Sequence, residues 1–164
     1  MGLGSNLGDR LAILQTARER LAALPGAVIT AASPIYETEP WGDAAQPRYL
    51  NQVVALALGP SWSPRQLLEA LLAIEHSLGR VRDPKRPFGP RTLDLDILLF
   101  GEMRLDEPDL IIPHPRLRQR AFVLVPLADI GKDLPIPDGQ GGNVTQALAN
   151  RPSKDAGKIV RQSE

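Results

Sequence analysis

The chain has 164 residues, 43% of them hydrophobic, which is enough to enclose one core but too few for two ordinary domains. Nineteen basic residues balance nineteen acidic ones, and the sequence has no cysteine, no run of eighteen apolar residues and no recognisable secretion signal. We therefore expect a cytoplasmic monomer without membrane or nucleic-acid partners, and the composition excludes disulfides and cysteine-based catalysis or metal binding.

The first half of the chain predicts a helix between strands. Residues 3–9 are typical of a strand end and a tight turn, and apolar residues with a 3.6-residue period predict a helix from 11 to 24. Residues 28–36 and 49–58 predict strands, the second with β-branched residues in its middle. The proline-rich loop between them is long for a compact domain, which favours a functional lid over a simple connector.

A second helix, a charged loop and a strand follow. Ser63 and Pro64 supply a capping hydroxyl and a first-turn proline for a helix that runs to Leu78. Residues 81–90 are rich in proline and positive charge, and residues 92–100 predict the next strand.

The remainder of the chain is interrupted by prolines. Residues 120–127 form a short apolar segment and residues 144–149 predict one last short helix. We expect a single domain over residues 1–150 and a loose tail from 151 to 164. The order β-α-β-β-α-β predicts an α+β, ferredoxin-like fold with helices packed on one face of an antiparallel sheet.

The strongest chemical signal is the sequence Asp94-Leu95-Asp96. Alternation along a strand sends both carboxylates to one face, roughly 6.6 Å apart at the backbone, and leucine to the other. Two like charges so close favour a cation between them, and hard oxygen ligands suit magnesium. The alternative is a solvated strand face whose acids pair with nearby arginines.

Arginines before this strand favour phosphate chemistry. Arg80, Arg82 and Arg91 are candidates for gripping phosphate, because guanidinium groups match its geometry, whereas Lys85 and Arg86 fit a solvated loop equally well. Acids that hold a metal beside arginines that hold phosphate oxygens are the arrangement that phosphoryl transfer requires.

The glycine-rich turn near the N-terminus does not predict a phosphate site. The glycines at 2, 4 and 8 do not fit the dinucleotide-binding spacing, no P-loop motif occurs, and Asp9 would repel an anion there. We interpret this turn as structural.

Other candidates keep two interpretations each. Asn51 offers donors and an acceptor that suit the guanidine-like edge of a heterocycle, or it is a buried polar group that needs partners. Tyr49 and Phe122 are core residues or ring-stacking residues, and His114, between two prolines, is a ligand contact or a restrained turn. Trp41, in the predicted lid, favours a ligand or lid contact.

Several motifs together resemble the 6-hydroxymethyl-7,8-dihydropterin pyrophosphokinases. The resemblance covers positions 2 to about 130, and its motifs stand in the order and approximate spacing of that family. They are Gly4-Ser5-Asn6-Leu7-Gly8, Tyr49-Leu50-Asn51, Glu75 with Gly79-Arg80-Val81-Arg82, Gly89-Pro90-Arg91-Thr92-Leu93-Asp94-Leu95-Asp96, and Pro113-His114-Pro115-Arg116 with Arg120-Ala121-Phe122-Val123-Leu124.

The resemblance implies a transfer of pyrophosphate from ATP to the pterin hydroxymethyl group in folate synthesis, with AMP as the leaving group. It implies two Mg²⁺ ions on Asp94 and Asp96, with Arg80 and Arg91 as the further catalytic residues. The loops around 39–49 and 81–91 would close over both substrates. The implied contacts to ATP are Glu75, Arg82, Phe88, Leu98, His114 and Arg120, and those to the pterin are Pro40, Trp41, Tyr49, Asn51 and Phe122.

The sequence departs from the family in three places. Phe88 stands where tryptophan is common, so an aromatic contact is kept and an indole donor is lost. Members usually carry more residues before the Gly-Ser-Asn turn, so we expect either a misassigned or trimmed start or a short first strand. Asp109 stands where some members have arginine, and no role is carried over to it.

Two other functions remain open from the residues alone. An RNA-binding sheet of similar topology should show a basic surface and exposed aromatics, and this chain has neutral charge and 4% aromatic residues. A magnesium-dependent phosphoryl or nucleotidyl transferase with another acceptor differs only at the pterin contacts, such as Asn51 and Phe122.

Overall fold

The computed structural model describes residues 1–40, 45–81, 89–151 and 158–162. In these ranges it has eight strands, four α-helices and one 3₁₀ helix. In chain order they are β1 (Gly2–Ser5), α1 (Arg10–Ala22), β2 (Val28–Ala32), β3 (Tyr36–Thr38), β4 (Tyr49–Ala57), α2 (Pro64–Ser77), β5 (Asp94–Asp96), β6 (Leu105–Glu107), β7 (Leu110–Ile112), the 3₁₀ helix (Leu117–Gln119), α3 (Ala121–Gly131), α4 (Val144–Ala149) and β8 (Ile159–Arg161).

The first two helices begin where their capping residues predict. The Asp9 side chain accepts a hydrogen bond from the Ala12 amide at the start of α1. At the start of α2, Ser63 and Gln66 form a reciprocal capping box and Pro64 occupies the first turn. Both predicted helices are confirmed.

The main sheet has the order β5-β1-β4-β3-β8, and β2 also pairs with β4. The pairings are antiparallel, and the short β1 lies between β4 and β5. Leu3 pairs with Gln52 of β4 on one side and with Leu95 of β5 on the other. An α+β fold with helices packed on an antiparallel sheet is therefore confirmed. A separate hairpin joins β6 and β7.

Helices cover both faces of the sheet, so the prediction that they lie on one face is wrong. Leu3, Val54 and Leu95 pack with α1 and α2 in one cluster, whereas Val53 packs with α3 and α4 in a second cluster. Adjacent strand residues point to opposite faces, which explains why Val53 and Val54 belong to different clusters. Because α3 and α4 cover only part of the second face, polar residues of β1, β4 and β5 line a cavity beside them.

Two predicted strands are shorter than expected. The segment 28–36 divides into β2 and β3, because Pro34 has no amide hydrogen and the Ser33 hydroxyl accepts the Val53 amide hydrogen bond. The segment 92–100 is a strand only over Asp94–Asp96. Gly2, where β1 begins, pairs with Asp96, so β1 offers no partner to the residues that follow Asp96.

Other elements were not predicted from the sequence. The apolar segment 120–127 lies in helix α3, which contains Pro126, and the β6–β7 hairpin was not foreseen. Within the segment expected to be a loose tail, Ile159–Arg161 form strand β8 on the edge of β3, where Glu37 faces Val160. No helix in the described ranges is long and apolar enough to cross a membrane.

Candidate active site

Nine of the fifteen predicted site residues line a cavity of about 310 Å³ on the open part of the second sheet face. It lies where β1, β4 and β5 meet the start of α3. Its lining includes Gly4, Thr38, Tyr49, Asn51, Glu75, Arg80, Arg91, Asp94, Asp96, Arg120 and Phe122. A larger cleft of about 950 Å³, lined by Arg118 and Asp138 among others, includes only His114 of the predicted residues. The chemistry therefore belongs to the smaller cavity.

Asp94 holds an arginine on each carboxylate oxygen. Arg80 Nη1 lies 2.5 Å from Oδ1, and Arg91 Nη1 lies 3.0 Å from Oδ2. Burial raises the pKa of Asp94, but the two guanidinium groups outweigh it and leave the pKa below its ordinary value. Asp94 is thus ionised at neutral pH.

Glu75 connects α2 to the acidic strand. Its carboxylate is 3% exposed, and Oε1 accepts hydrogen bonds from the Leu95 amide at 2.8 Å and from Arg80 at 2.5 Å. Arg80 Nη1 also lies 3.2 Å from the carbonyl oxygen of Leu93. Arg80 is therefore fixed against the backbone of the strand as well as against Asp94.

Asp96 lies in a different electrostatic environment from Asp94. Arg120 Nη1 lies 3.2 Å from its Oδ2, but burial and the neighbouring charge of Asp94 raise the pKa of Asp96 to about 6. Two like charges on one short strand thus share a cavity, and a divalent cation would relieve their repulsion.

His114 reaches Asp96 from the Pro-His-Pro segment. Its Nε2 lies 3.9 Å from Asp96 Oδ2, and its Nδ1 accepts a hydrogen bond from the Arg116 amide at 3.0 Å. Burial and the charge of Arg120 lower the pKa of His114 to about 4, so the ring is neutral at pH 7. Because Nδ1 accepts, we assign the ring hydrogen to Nε2, which lies 3.9 Å from Asp96 Oδ2 and 3.5 Å from Arg120 Nη1.

Next to the charged groups, the cavity carries an amide and aromatic rings, which we call its ring-binding end; this end adjoins Asp94, because a Cβ at Gly4 would meet Asn51, Tyr49 and Asp94. Asn51 Nδ2 donates to the Thr38 hydroxyl at 2.7 Å, and a Cβ atom at Gly4 would lie 3.1 Å from Asn51 Oδ1. Tyr49 lies on the same strand face, and the Phe122 ring centroid is 5.6 Å from the Arg120 guanidinium carbon. A flat heterocycle could find polar and stacking contacts here.

Some predicted residues lie elsewhere. The Leu98 side chain is 1% exposed in the second core cluster, and its carbonyl accepts the His114 amide, so the structure does not bring this side chain into the cavity. Pro40 follows β3 by two residues and is not among the cavity-lining residues. Trp41, Arg82 and Phe88 lie outside the described residues.

Sequence reasoning missed Gly4, Thr38 and Asn6. Alternation along the first strand shows only that Gly4 shares a face with Gly2. The proximity of Gly4 to Asn51 depends on strand register, which the sequence does not reveal. Thr38 becomes visible only through the pairing of β3 with β4. Asn6 belongs to the Gly-Ser-Asn motif that we interpreted as a structural turn.

The donor set fits Mg²⁺ that is shared with a phosphorylated substrate. Within the described ranges no group of three His, Asp or Glu residues could enclose a metal ion. Asp94 and Asp96 nevertheless supply carboxylates, and Mg²⁺ in phosphoryl-transfer enzymes typically binds one or two carboxylates together with substrate phosphates and water.

The carboxylate pair, the arginines around it and the ring-binding end define a transferase that acts on a phosphorylated donor. Comparison with known families makes this specific. Residues 1–132 match the model of 7,8-dihydro-6-hydroxymethylpterin-pyrophosphokinase, and the chain belongs to that family.

Curated relatives agree with the family assignment. A 2-amino-4-hydroxy-6-hydroxymethyldihydropteridine pyrophosphokinase of Pseudomonas aeruginosa is 50% identical over 140 residues, 85% of this chain and 84% of the relative. Enzymes with the same name are 47% identical in Methylorubrum extorquens, over 91% of this chain and 90% of the relative, and 45% identical in Bacillus subtilis, over 79% and 75%. As a member of this family, the chain transfers a pyrophosphoryl group to hydroxymethyldihydropterin in folate biosynthesis.

Proposed function

We propose that ATP, bound with Mg²⁺, is the donor, and that the reaction releases AMP and the pterin diphosphate. The observation that carries this proposal is the contact of Arg80 and Arg91 with Asp94 and of Arg120 with Asp96, all in the cavity that also holds Asn51. Cations and carboxylates beside an amide that can bind a ring edge, all in one cavity, fit a donor phosphate chain and a pterin acceptor.

The charged end would bind the triphosphate. Asp94 and Asp96 would hold the two Mg²⁺ ions, which would neutralise charge on the transferred group. Binding of cations to Asp94 would compete with its contacts to Arg80 and Arg91, and both guanidinium groups could then contact phosphate oxygens while Arg80 keeps its bond to Glu75. The neutral ring of His114 and the charged guanidinium group of Arg120 would then contact ATP beside Asp96.

Glu75, on α2, positions the charged end by its contacts with β5 and Arg80. Because it is buried and accepts from both Arg80 and the Leu95 amide, it holds Arg80 close to the acidic strand. We expect its influence on ATP to act through Arg80. The implied contacts of Arg82, Phe88 and Leu98 with ATP stay predictions.

The polar and aromatic end would bind the pterin. Asn51 has its Nδ2 directed at Thr38, so its oxygen remains to accept from an amino or ring N–H group of the pterin edge. Tyr49 and Phe122 would contact the ring faces. Contacts from Pro40 and Trp41 stay predictions.

The chemistry itself needs few groups beyond these. The pterin hydroxyl oxygen would attack the β-phosphorus of ATP, and the bond from that phosphorus to the oxygen bridging the α- and β-phosphates would break, so that AMP carries away that oxygen. Positioning and charge neutralisation provide most of the catalysis in such transfers. The hydroxyl proton is lost to solvent or to a phosphate oxygen.

Two further expectations belong to the proposal. The strand order β5-β1-β4-β3 with its crossing helices supports a ferredoxin-like core within a single domain over residues 1–150. A monomeric, cytoplasmic protein also stays a prediction. Family membership favours the pterin as acceptor over the other acceptors and over RNA binding.

Nucleotide products distinguish this proposal from its alternatives. Purified protein would be incubated with ATP and Mg²⁺ alone, with 6-hydroxymethyl-7,8-dihydropterin, and with 6-methyl-7,8-dihydropterin, which lacks the accepting hydroxyl. We expect AMP only with the hydroxymethyl compound and only when Mg²⁺ is present. ADP as the main product, or equal AMP in all three mixtures, would contradict it.

A further inference from the structure

Asn6 is a buried amide that joins three segments around the cavity. It follows the last residue of β1, is 1% exposed, and does not line the cavity itself. The turn after it contains Gly8, whose φ of 71° is the left-handed conformation that glycine tolerates, and then Asp9, the cap of α1. Asn6 is therefore held between a central strand and a capped helix.

The first connection of Asn6 is to the backbone of Arg91. The Arg91 main-chain N–H donates to the side-chain oxygen Oδ1 of Asn6 at 2.8 Å. In return, the Asn6 main-chain N–H donates to the Arg91 carbonyl at 3.2 Å. These two bonds fix the peptide groups on both sides of the Arg91 Cα. The Arg91 side chain then reaches Asp94 Oδ2 at 3.0 Å, with its Nε 3.3 Å from the Gly89 carbonyl.

The second connection of Asn6 is to the segment that leads into β4. Asn6 Nδ2 donates to Gln46 Oε1 and to the Pro47 carbonyl, each at 3.2 Å. Pro47 precedes Tyr49, the first residue of β4, by two positions, and Asn51 follows on the same strand face. The Asn6 side-chain amide thus connects the segment that carries Arg91 with the segment that leads to Tyr49 and Asn51.

On the basis of the proposed function, we propose that Asn6 is a positioning residue that holds Arg91 and the 46–47 segment in their active arrangement. Its side-chain oxygen positions the proposed phosphate-binding Arg91 through the Arg91 main chain. Its side-chain nitrogen positions the start of β4, with the proposed pterin-binding residues, through Gln46 and Pro47. A small displacement of a catalytic group can lower a rate by about 10²-fold, so this anchoring is sufficient to affect turnover.

Two substitutions separate the two connections. Asn6→Ala removes the side-chain bonds of both connections and keeps only the main-chain bond from Asn6 to the Arg91 carbonyl. We expect kcat to fall about 30-fold and the pterin KM to rise about tenfold. Asn6→Asp keeps an oxygen for the Arg91 amide but places a second oxygen against the Pro47 carbonyl. It should raise the pterin KM about tenfold while changing kcat by less than about threefold.

A control variant tests for a merely structural role. Asn143→Ala makes the same substitution at the cap of α4. There the Gln146 main-chain N–H donates to Asn143 Oδ1, and the Asn143 main-chain N–H donates to Gln146 Oε1. It should lower thermal stability and leave kcat and the pterin KM within about twofold of wild type. All assays would be run well below the melting temperature of each variant.

The decisive comparison is a double-mutant cycle with Arg91→Ala. If Asn6 acts on kcat through Arg91, adding Asn6→Ala to Arg91→Ala lowers kcat by less than about twofold. A full 30-fold further loss, or a kcat of Asn6→Ala equal to wild type, would overturn the inference.

Hydrogen exchange at the Arg91 amide gives a readout that does not depend on turnover. Exchange should be faster in Asn6→Ala and unchanged in Asn143→Ala and Asn6→Asp. Equal protection of the Arg91 amide in wild type and Asn6→Ala would contradict the inference, whether or not the wild-type protein releases AMP. Failure of the wild-type protein to release AMP would instead count against the proposed function.

Discussion

Asp94 and Asp96 lie two residues apart on the same face of β5, yet their surroundings shift their pKa values in opposite directions. Asp94 has Arg80 on one oxygen and Arg91 on the other, whereas Asp96 has Arg120 at 3.2 Å and bears the repulsion of Asp94. Without a bound cation, one carboxylate is stabilised by its neighbours and the other is destabilised. This asymmetry distinguishes the two residues experimentally.

The first prediction concerns stability without metal. With EDTA at pH 8, Asp96→Asn should stabilise the protein and Asp94→Asn should destabilise it. The folded pKa of Asp96, about 6, lies above its ordinary 3.8, so its ionisation weakens folding as pH rises through this interval. Removing that charge should gain about 1 to 2 kcal/mol after allowance for screening of a side chain that is 33% exposed.

The pH dependence provides the internal control. The pKa of Asp94 is lowered, so its stabilising contribution is present above 3.8 and disappears as pH falls through the folded value. The gain from Asp96→Asn should shrink between pH 8 and pH 4 in urea unfolding experiments. The same sign of effect for both variants at pH 8 would refute the assigned asymmetry.

The second prediction concerns turnover. Asp94→Ala and Asp96→Ala should each lower kcat by at least about 10³-fold, because each removes a proposed metal ligand. Neither side chain belongs to a core cluster, so circular dichroism should show a native fold. Asp106→Ala on β6, outside the cavity, serves as the matched control and should keep wild-type turnover. A collapsed fold in the β5 variants would instead assign them a structural role.

The third prediction tests the close approach of Gly4 to Asn51. Gly4→Ala would place a Cβ 3.1 Å from Asn51 Oδ1, and Asn51 is held on its other side by Thr38. We expect the pterin KM to rise about tenfold, with a smaller change in the KM for ATP. Gly2→Ala is the control on the same strand face, because its Cβ would make only an ordinary contact of 3.4 Å with Leu98. Equal effects of the two variants on pterin binding would contradict this reasoning.

The fourth prediction separates two roles of Glu75. Glu75→Ala leaves the Leu95 amide and Arg80 without their shared acceptor, and should lower the free energy of unfolding by about 2 to 4 kcal/mol. Glu75→Gln retains an oxygen for the Leu95 amide and should lose less stability, but it removes the charge beside Arg80 and should still lower kcat. Unfolding in urea and steady-state kinetics measure the two effects. Equal stability of the two variants would show that the Leu95 contact is unimportant.

Local patterns predicted the acidic end of the site well. Alternation placed Asp94 and Asp96 on one face and Leu95 in the core, and the structure shows this arrangement. The solvated-face alternative was partly right, since both acids pair with arginines, but they do so inside a cavity. Short-range periodicity carries this information because the strand residues concerned are neighbours in sequence.

Long-range relationships could not be predicted in the same way. Thr38 reaches Asn51 through strand register, and Asn6 reaches Arg91 and Gln46 across 85 and 40 residues of sequence. Strand β8 was missed because a three-residue strand in a polar tail has almost no periodicity, and its partner is the distant edge of β3. The placement of α3 on the second face likewise depends on tertiary packing that leaves no local signal.

The most direct test of the account is ³¹P nuclear magnetic resonance of the reaction of wild-type protein with ATP, Mg²⁺ and 6-hydroxymethyl-7,8-dihydropterin. We predict that the ATP resonances are replaced by a single AMP resonance and by two mutually coupled resonances of the pterin diphosphate, formed at equal rates. Appearance of ADP with a pterin monophosphate, or loss of ATP without a new diphosphate ester, would contradict attack of the pterin hydroxyl on the β-phosphorus.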